Sequence, residues 1–293
     1  MDDHKTMGLL AGWGRYPIAV AHALKRQGYT VHCQGIKGHA APELAAICDS
    51  FRYVGIAKLG HQIRYFQRRG VRHATMAGKI FKARLMYHRW GWLHHLPDWE
   101  CCRTFYPHFV TRTRDRKDDT LLTAVVDLFA RHEIMFAPAT DFAPELLVTP
   151  GTYSGTDPTA RQWKDIRFGW NLAKEMGRLD VGQTVVVKGL STVAVEAVEG
   201  TDECIRRAGL LCPQGGFAVV KVAKPNQDMR FDVPTIGIGT LRTMARAGGR
   251  VLAVEARKTI IVDQAQVARL ARQSQITLIA VDAARWRQTD RAA

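Results

Sequence analysis

Strand and helix patterns alternate along the first third of the chain, and that alternation constrains the fold more than anything else in the sequence. Met7 to Ala11 is a short apolar run that stops at Gly12. Pro17 then opens a helical pattern, where its missing N–H would have had no partner anyway, and Gly28 closes it. Tyr29 to Ile36, Phe51 to Ile56 and Val71 to Ala77 read as further strands. Between them lie a short helix from Pro42 to Cys48 and an amphipathic one from Lys58 to Arg69, with Leu59, Ile63 and Phe66 on its inner side. Strands that succeed one another through crossover helices pair in parallel, so a parallel sheet covered by helices is expected. A further helix is expected over Asp118 to Arg131.

Between Pro144 and Ala160 the composition changes to Pro150, Gly151, Gly155 and Pro158 with Thr and Ser among them, which is linker composition. We therefore expect two domains. Residues 1–150 form an amino-terminal Rossmann-like parallel-sheet domain, and residues 151–293 a carboxy-terminal catalytic domain. The second half predicts helices over Gln162 to Met176 and Gln264 to Gln273. Its strands are expected over Thr184 to Val187, Val193 to Val198, Ala218 to Ala223, Val251 to Val254, Thr259 to Val262 and Ile276 to Val281. The fold class is α/β, with a parallel sheet in the first domain, a mixed α/β second domain, and the active site expected between them.

The densest chemistry lies from Val219 to Gly237. Val219, Val220 and Val222 read as a buried strand, and then Lys221, Lys224, Gln227, Asp228, Arg230 and Asp232 crowd a segment punctuated by Pro225 and Pro234. Two lysines and an arginine suit phosphate oxygens. Two aspartates suit a hard divalent cation or proton transfer. Together they are what cleavage of a phosphoanhydride needs; the competing reading is a structural ion-pair loop.

These residues also carry a resemblance. K-x-A-K-P-x-Q-D-M-R-x-D-x-P-T-I-G, from Lys221 to Gly237, resembles the signature of the LpxI-type UDP-2,3-diacylglucosamine pyrophosphatases. Gly8 to Pro17, Lys117 to Leu122, Glu175 to Gln183 and Val195 to Asp202 are similar to other segments of that family, while Lys82 to Arg116 departs from its pattern. The resemblance implies cleavage of UDP-2,3-diacylglucosamine to UMP and 2,3-diacylglucosamine 1-phosphate (lipid X) in lipid A biosynthesis, with water attacking the β-phosphorus. On this reading Asp232 is the essential carboxylate, as metal ligand or as the group orienting water, with Asp228 second; Mg²⁺ or another divalent cation is the expected cofactor. Lys221, Lys224 and Arg230 clamp phosphates, and Gln227 orients water or a sugar oxygen.

Other residues join as substrate contacts. Gly12, Trp13 and Gly14 sit between a strand end and a helix start, where backbone N–H groups favour a phosphate. Lys79 follows the fourth strand at the same sheet edge. Asp119 precedes a helix and either caps it or faces the cleft. Thr201 and Asp202 open another helix after Glu196, a carboxylate that must face solvent or meet a cation from the Lys221 strand. Thr235 completes the set.

The alternatives are weaker. Gly12 to Pro17 resembles a dinucleotide loop with proline in place of the third glycine, but Gly35-Ile-Lys-Gly-His39 offers no acid for a ribose, which counts against an oxidoreductase. The 42 Lys and Arg against 27 Asp and Glu, a formal net charge of +15, leave a non-catalytic binder of anionic lipid or nucleic acid as a third reading. No RNA-binding signature appears, so nucleic acid is not expected as a partner; an anionic membrane surface and a second copy of the chain are left open. His94, His95, Cys101 and Cys102 match no zinc-ligand spacing. The polar start and the lack of a long apolar run predict a cytoplasmic protein, or one held peripherally on the inner membrane. Trp90, Trp92, Leu93, Leu96, Trp99 and Phe105 are candidates to hold acyl chains or to dock on a bilayer.

Overall fold

A computed structural model describes residues 5–80, 95–109, 118–230 and 233–285. The parallel sheet expected in the first half is present. Its elements follow as β1 (Thr6–Ala11), α1 (Tyr16–Arg26), β2 (Thr30–Ile36), α2 (Leu44–Ile47), β3 (Ser50–Val54), α3 (Leu59–Arg68), β4 (His73–Ala77), α4 (Trp99–Phe109), α5 (Asp118–Arg131), β5 (Met135–Phe136) and α6 (Ala139–Phe142). All five strands are parallel, in the order β3-β2-β1-β4-β5. The order reverses between β1 and β4, the point where open α/β sheets usually take ligands. Leu59, Ile63 and Phe66 of α3 are buried as expected, packed with Leu10, Ala74, Cys101 and Phe129 on one face of the sheet. Val20, Ala21 and Leu24 bury the inner side of α1.

The chain divides into two units. The first holds Met1–Pro144 together with Asp228–Asp232, and the second holds Glu145–Gln227 and Val233–Ala293. The second unit contains β6 (Gly151–Ser154), α7 (Ala160–Arg178), β7 (Thr184–Lys188), β8 (Ser191–Val195), α8 (Thr201–Leu211), β9 (Ala218–Lys221), β10 (Thr235–Ile236), α9 (Ile238–Ala247), β11 (Val251–Glu255), β12 (Ile260–Ile261), α10 (Gln264–Gln273) and β13 (Thr277–Val281). Six strands form a mixed sheet in the order β6-β13-β11-β9-β7-β8. β9, β11 and β13 are parallel, while β7 runs antiparallel to β8 and β9, and β6 antiparallel to β13. The pleat sorts its valines. Val185, Val187 and Val220 meet Ile166, Trp170 and Ala173 of α7, whereas Val186 and Val219 meet Ile205, Leu241 and Val267 on the opposite face.

Three expectations change. The stretch read as a linker contains the edge strand β6, whose Tyr153 is anchored by its hydroxyl to the backbone of Thr149. Its glycines and prolines punctuate that strand rather than leave the chain unstructured. The strand expected over Val193 to Val198 ends at Val195, and Val198 is fully exposed. The run from Thr259 to Val262 shortens to β12, which pairs with β10 in a separate two-stranded sheet.

Candidate active site

In the second unit, side chains singled out in the sequence gather around the first turn of α8. Residues alternate across a strand, so Lys221 at the end of β9 leaves on the same side as Val219, toward α8. Its Nζ donates to Thr201 Oγ1 at 2.7 Å. The Thr201 hydroxyl donates onward to Glu196 Oε1 at 2.9 Å. Thr184 Oγ1 stands 3.5 Å from both Lys221 Nζ and Thr201 Oγ1. Glu196 Oε2 is buried, accepts no hydrogen bond among the described residues, and faces Lys221 Nζ at 3.8 Å. The lysine and glutamate side chains are only 4% and 10% exposed. Burial alone would raise the Glu196 pKa; the Lys221 ammonium, with Thr184 and Thr201, outweighs it and holds the carboxyl below its usual range. A buried cation thus stands against the first residue of α8, at a helix end that already favours negative charge. Asp202, next along, accepts from Thr240 Oγ1 at 2.9 Å and ties the first turns of α8 and α9 together. Thr235 donates to the Val233 carbonyl at 2.9 Å.

The polar loop after β9 begins from a fixed point. Glu255, almost wholly buried at the end of β11, accepts from Lys174 Nζ at 2.6 Å and from Ala223 N at 2.8 Å. Lys174 also donates to the Ala223 carbonyl. Lys224 is buried too, with Nζ 2.7 Å from Asp180 Oδ1. Its backbone N–H donates to Gln227 Oε1 at 3.1 Å, and Gln227 N donates back to the Lys224 carbonyl. Both lysines read as phosphate clamps are therefore held in buried ion pairs inside this unit. Asp180, Lys174 and Thr240 were not singled out in the sequence. Asp180 carries the one local signal, an acidic residue just past a helix end with a positive φ.

Asp228 and Arg230 belong to the first unit. The guanidinium lies along the carboxylate, with Nε 2.9 Å from Oδ1 and Nη2 2.5 Å from Oδ2, and Arg230 N adds a third contact at 3.0 Å. These hydrogen bonds from Arg230 hold the Asp228 carboxyl below its usual range. Asp232, the foremost catalytic candidate, lies outside the described residues, as do Trp90, Trp92, Leu93 and the side chain of Asp119. Among the described residues no group of three or more His, Cys, Asp and Glu side chains is placed to hold a metal ion. Asp228 has both oxygens engaged by Arg230.

At the switch point of the first unit the loop after β1 is stitched to the loop after β4. Gly12 N donates to Ala77 O at 2.8 Å, Trp13 N to Lys79 O at 2.8 Å, and Lys79 N to Trp13 O at 3.0 Å. This stitching explains two glycines. A Cβ on Gly12 would lie 2.8 Å from the Lys79 carbonyl oxygen, and one on Gly78, whose φ is +96°, would lie 2.8 Å from Gly12 C and from Pro17 Cγ. Two N–H groups that a dinucleotide loop would offer to phosphate are thereby used internally. Gly14, with φ +106°, has open space beside it. Tyr16, first in α1, has a buried hydroxyl without a partner among the described residues.

Residues 6–146 match the LpxI N-terminal domain family, and residues 149–279 match the LpxI C-terminal domain family. The chain is 29% identical over 286 residues to the UDP-2,3-diacylglucosamine pyrophosphatase LpxI of Caulobacter vibrioides (strain ATCC 19089 / CIP 103742 / CB 15), covering 95% of this chain and 98% of that protein. Among solved structures, the biotin carboxylase domain of Hydrogenobacter thermophilus 2-oxoglutarate carboxylase is 12% identical. It covers 72% of this chain and 41% of its own, with a TM-score of 0.26, too low to carry an argument.

Proposed function

We propose, since this chain belongs to the LpxI family, that it hydrolyses UDP-2,3-diacylglucosamine to UMP and 2,3-diacylglucosamine 1-phosphate, a step of lipid A biosynthesis. The observation that carries this reading is similarity along nearly the whole length of a relative named for that activity. The oxidoreductase reading is not favoured, because the Gly12 loop spends its N–H groups on the neighbouring strand loop.

The chemistry divides among this chain's residues as follows. A water oxygen bonds to the β-phosphorus as the bond from that phosphorus to the bridging oxygen breaks; UMP takes the bridging oxygen, and the water gives up a proton. Asp232 orients the water. The amino end of α8, its first turn fixed by the buried Lys221–Thr201–Glu196 set, supports negative charge on phosphate oxygens through its N–H groups without rearranging during the reaction. Glu196 keeps Lys221 and Thr201 in register for that task. Glu255 and the Lys224–Gln227 turn fix where the loop carrying Asp228, Arg230 and Asp232 leaves β9. Mg²⁺ dependence is part of the proposal on chemical grounds, since lysines seldom replace a metal at a pyrophosphate. The described residues do not by themselves make a magnesium site. The acyl chains of the substrate argue for work at the cytoplasmic face of the inner membrane. No helix among the described residues is long and apolar enough to cross a membrane.

The test is Asp232→Ala assayed on UDP-2,3-diacylglucosamine, with UMP and the lipid product resolved by mass spectrometry. The variant is expected to keep the far-ultraviolet dichroism of the parent and to lose turnover by at least about a hundredfold. Parent-like turnover would remove Asp232 from the mechanism, and absence of turnover in the parent would remove the reaction.

A further inference from the structure

Two helices of the first unit, α3 and α4, pack side by side over the same face of the sheet, where Leu59, Ile63 and Phe66 share a core with Cys101 and Phe105. Their outer stripes carry an unusual set of side chains. On α3 the exposed positions include His61, Arg64 and Arg68, and Arg69 follows at once. Arg64 and Arg68 are four residues apart, a like-charge spacing that weakens a helix. Among the described residues, none of Arg64, Arg68 and Arg69 makes an ion pair.

A fourth guanidinium leans in from the edge strand β3. Arg52 is fixed by two hydrogen bonds to the buried Gln34 Oε1, at 2.7 and 3.1 Å, and by a third to the His61 carbonyl at 2.6 Å. It stacks 4.0 Å above the Tyr65 ring, and Arg69 approaches the same ring at 5.4 Å. Burial first, and then Arg68, Arg64 and Arg69, make its charged form less favourable than usual. Two acids stand at the seam between the helices, beside Arg64 Nη1, rather than on the outer stripe. Asp98 is engaged by His61 N and Nδ1 and by Cys101 N, and the Glu100 side chain lies against Gly60, between the two helices.

The outer stripe of α4 is different. Trp99 is 77% exposed and Tyr106 53% exposed; seven residues apart on the helix, they share one side with exposed Arg103 between them. Exposed aromatic rings beside arginines are what the boundary between water and lipid headgroups selects, because the rings enter the headgroup layer while the cations meet lipid phosphates.

We propose that the outer surface of α3 and α4, with Arg52, Arg64, Arg68, Trp99 and Tyr106 at its centre, docks the protein on a bilayer of anionic phospholipid. A bilayer is preferred to nucleic acid on the strength of the diacylated substrate proposed above, and that choice rests on that reading. The bland alternative, a solvated charged face with arginines near the carboxyl end of α3, explains Arg68 through the helix dipole. It explains neither the immobilised Arg52 nor the exposed Trp99.

The experiment is co-sedimentation of the purified full chain with vesicles of phosphatidylglycerol and phosphatidylcholine, compared with vesicles of phosphatidylcholine alone. In parallel, hydrolysis is measured on detergent-dispersed substrate. The parent should bind the anionic vesicles and lose them as salt is raised. Each neutralised arginine should weaken binding about fivefold, so Arg64→Gln with Arg68→Gln should weaken it about 25-fold. Tyr106→Ser should weaken it further, and hydrolysis of dispersed substrate should stay at the parent level in both the double arginine variant and Tyr106→Ser. Equal sedimentation of parent and variants, or tighter retention of the parent on an RNA oligonucleotide than on vesicles, would overturn the proposal. Vesicle binding without any hydrolysis would instead count against the pyrophosphatase reading and leave the docking surface standing.

Discussion

Glu196 is buried deeply enough that an unpaired charge there would be untenable, and its pairing with Lys221 and Thr201 sets what substitution must do. Removing one partner of a buried pair costs more than the pair contributes, because the other charge is left without compensation. Glu196→Ala should therefore lower stability by about 3–5 kcal/mol, read as a fall in the denaturant midpoint with unchanged slope. The pH dependence follows from the direction of its shift. The folded-state pKa lies below the ordinary value of 4.5, so the stabilisation is fully present above that value. It is lost as pH falls below 4.5 through the folded value, where the carboxylate must take a proton. Acid unfolding monitored by tryptophan fluorescence should be shallower in Glu196→Gln than in the parent. Identical acid limbs would mean that this carboxylate does not set acid stability. The sequence left Glu196 two choices, solvent or a lysine of the next strand. Only strand pairing decides between them, because the pleat that aims Lys221 at α8 depends on which residue of β9 lies opposite Thr184.

At the scale of elements, the joined loops after β1 and β4 give the clearest test. Gly78 has a left-handed φ and backbone atoms where a Cβ would sit, so Gly78→Ala faces strain and collision together. Such positions cost on the order of 2 kcal/mol, or a drop of about 4–8 °C in Tm for a domain of this size. An unchanged Tm would show that the two loops separate easily. The alternation of β1, α1, β2, α3 and β4 was legible in the sequence, because glycines and prolines mark the element ends and the apolar periods are clean. β5 and β10 were not, since two residues paired with a neighbour leave no periodic trace. β6 was hidden because Gly151 opens it and Gly155 follows it, and its partner β13 lies more than 120 residues later. For the candidate site, residue types foretold cations and carboxylates along one loop. They did not foretell that Lys221 and Lys224 turn inward, because Glu196 and Asp180, which draw them in, come from distant parts of the chain.

For the whole molecule, the proposed reaction is hydrolysis of a pyrophosphate carried on a lipid, supported by a helix end whose first turn is fixed by buried charge. Its dependence on metal is expected to be complete: exhaustive chelation should abolish turnover, and Mg²⁺ should restore it. Undiminished turnover after chelation would mean that this chain's own groups stabilise the charge without metal. Which bond forms decides the reaction. The purified chain should be given UDP-2,3-diacylglucosamine in water enriched in oxygen-18, and both products weighed by mass spectrometry. Attack at the β-phosphorus puts one heavy oxygen in 2,3-diacylglucosamine 1-phosphate and none in UMP; label in UMP, or no products from the folded protein, would rule that attack out.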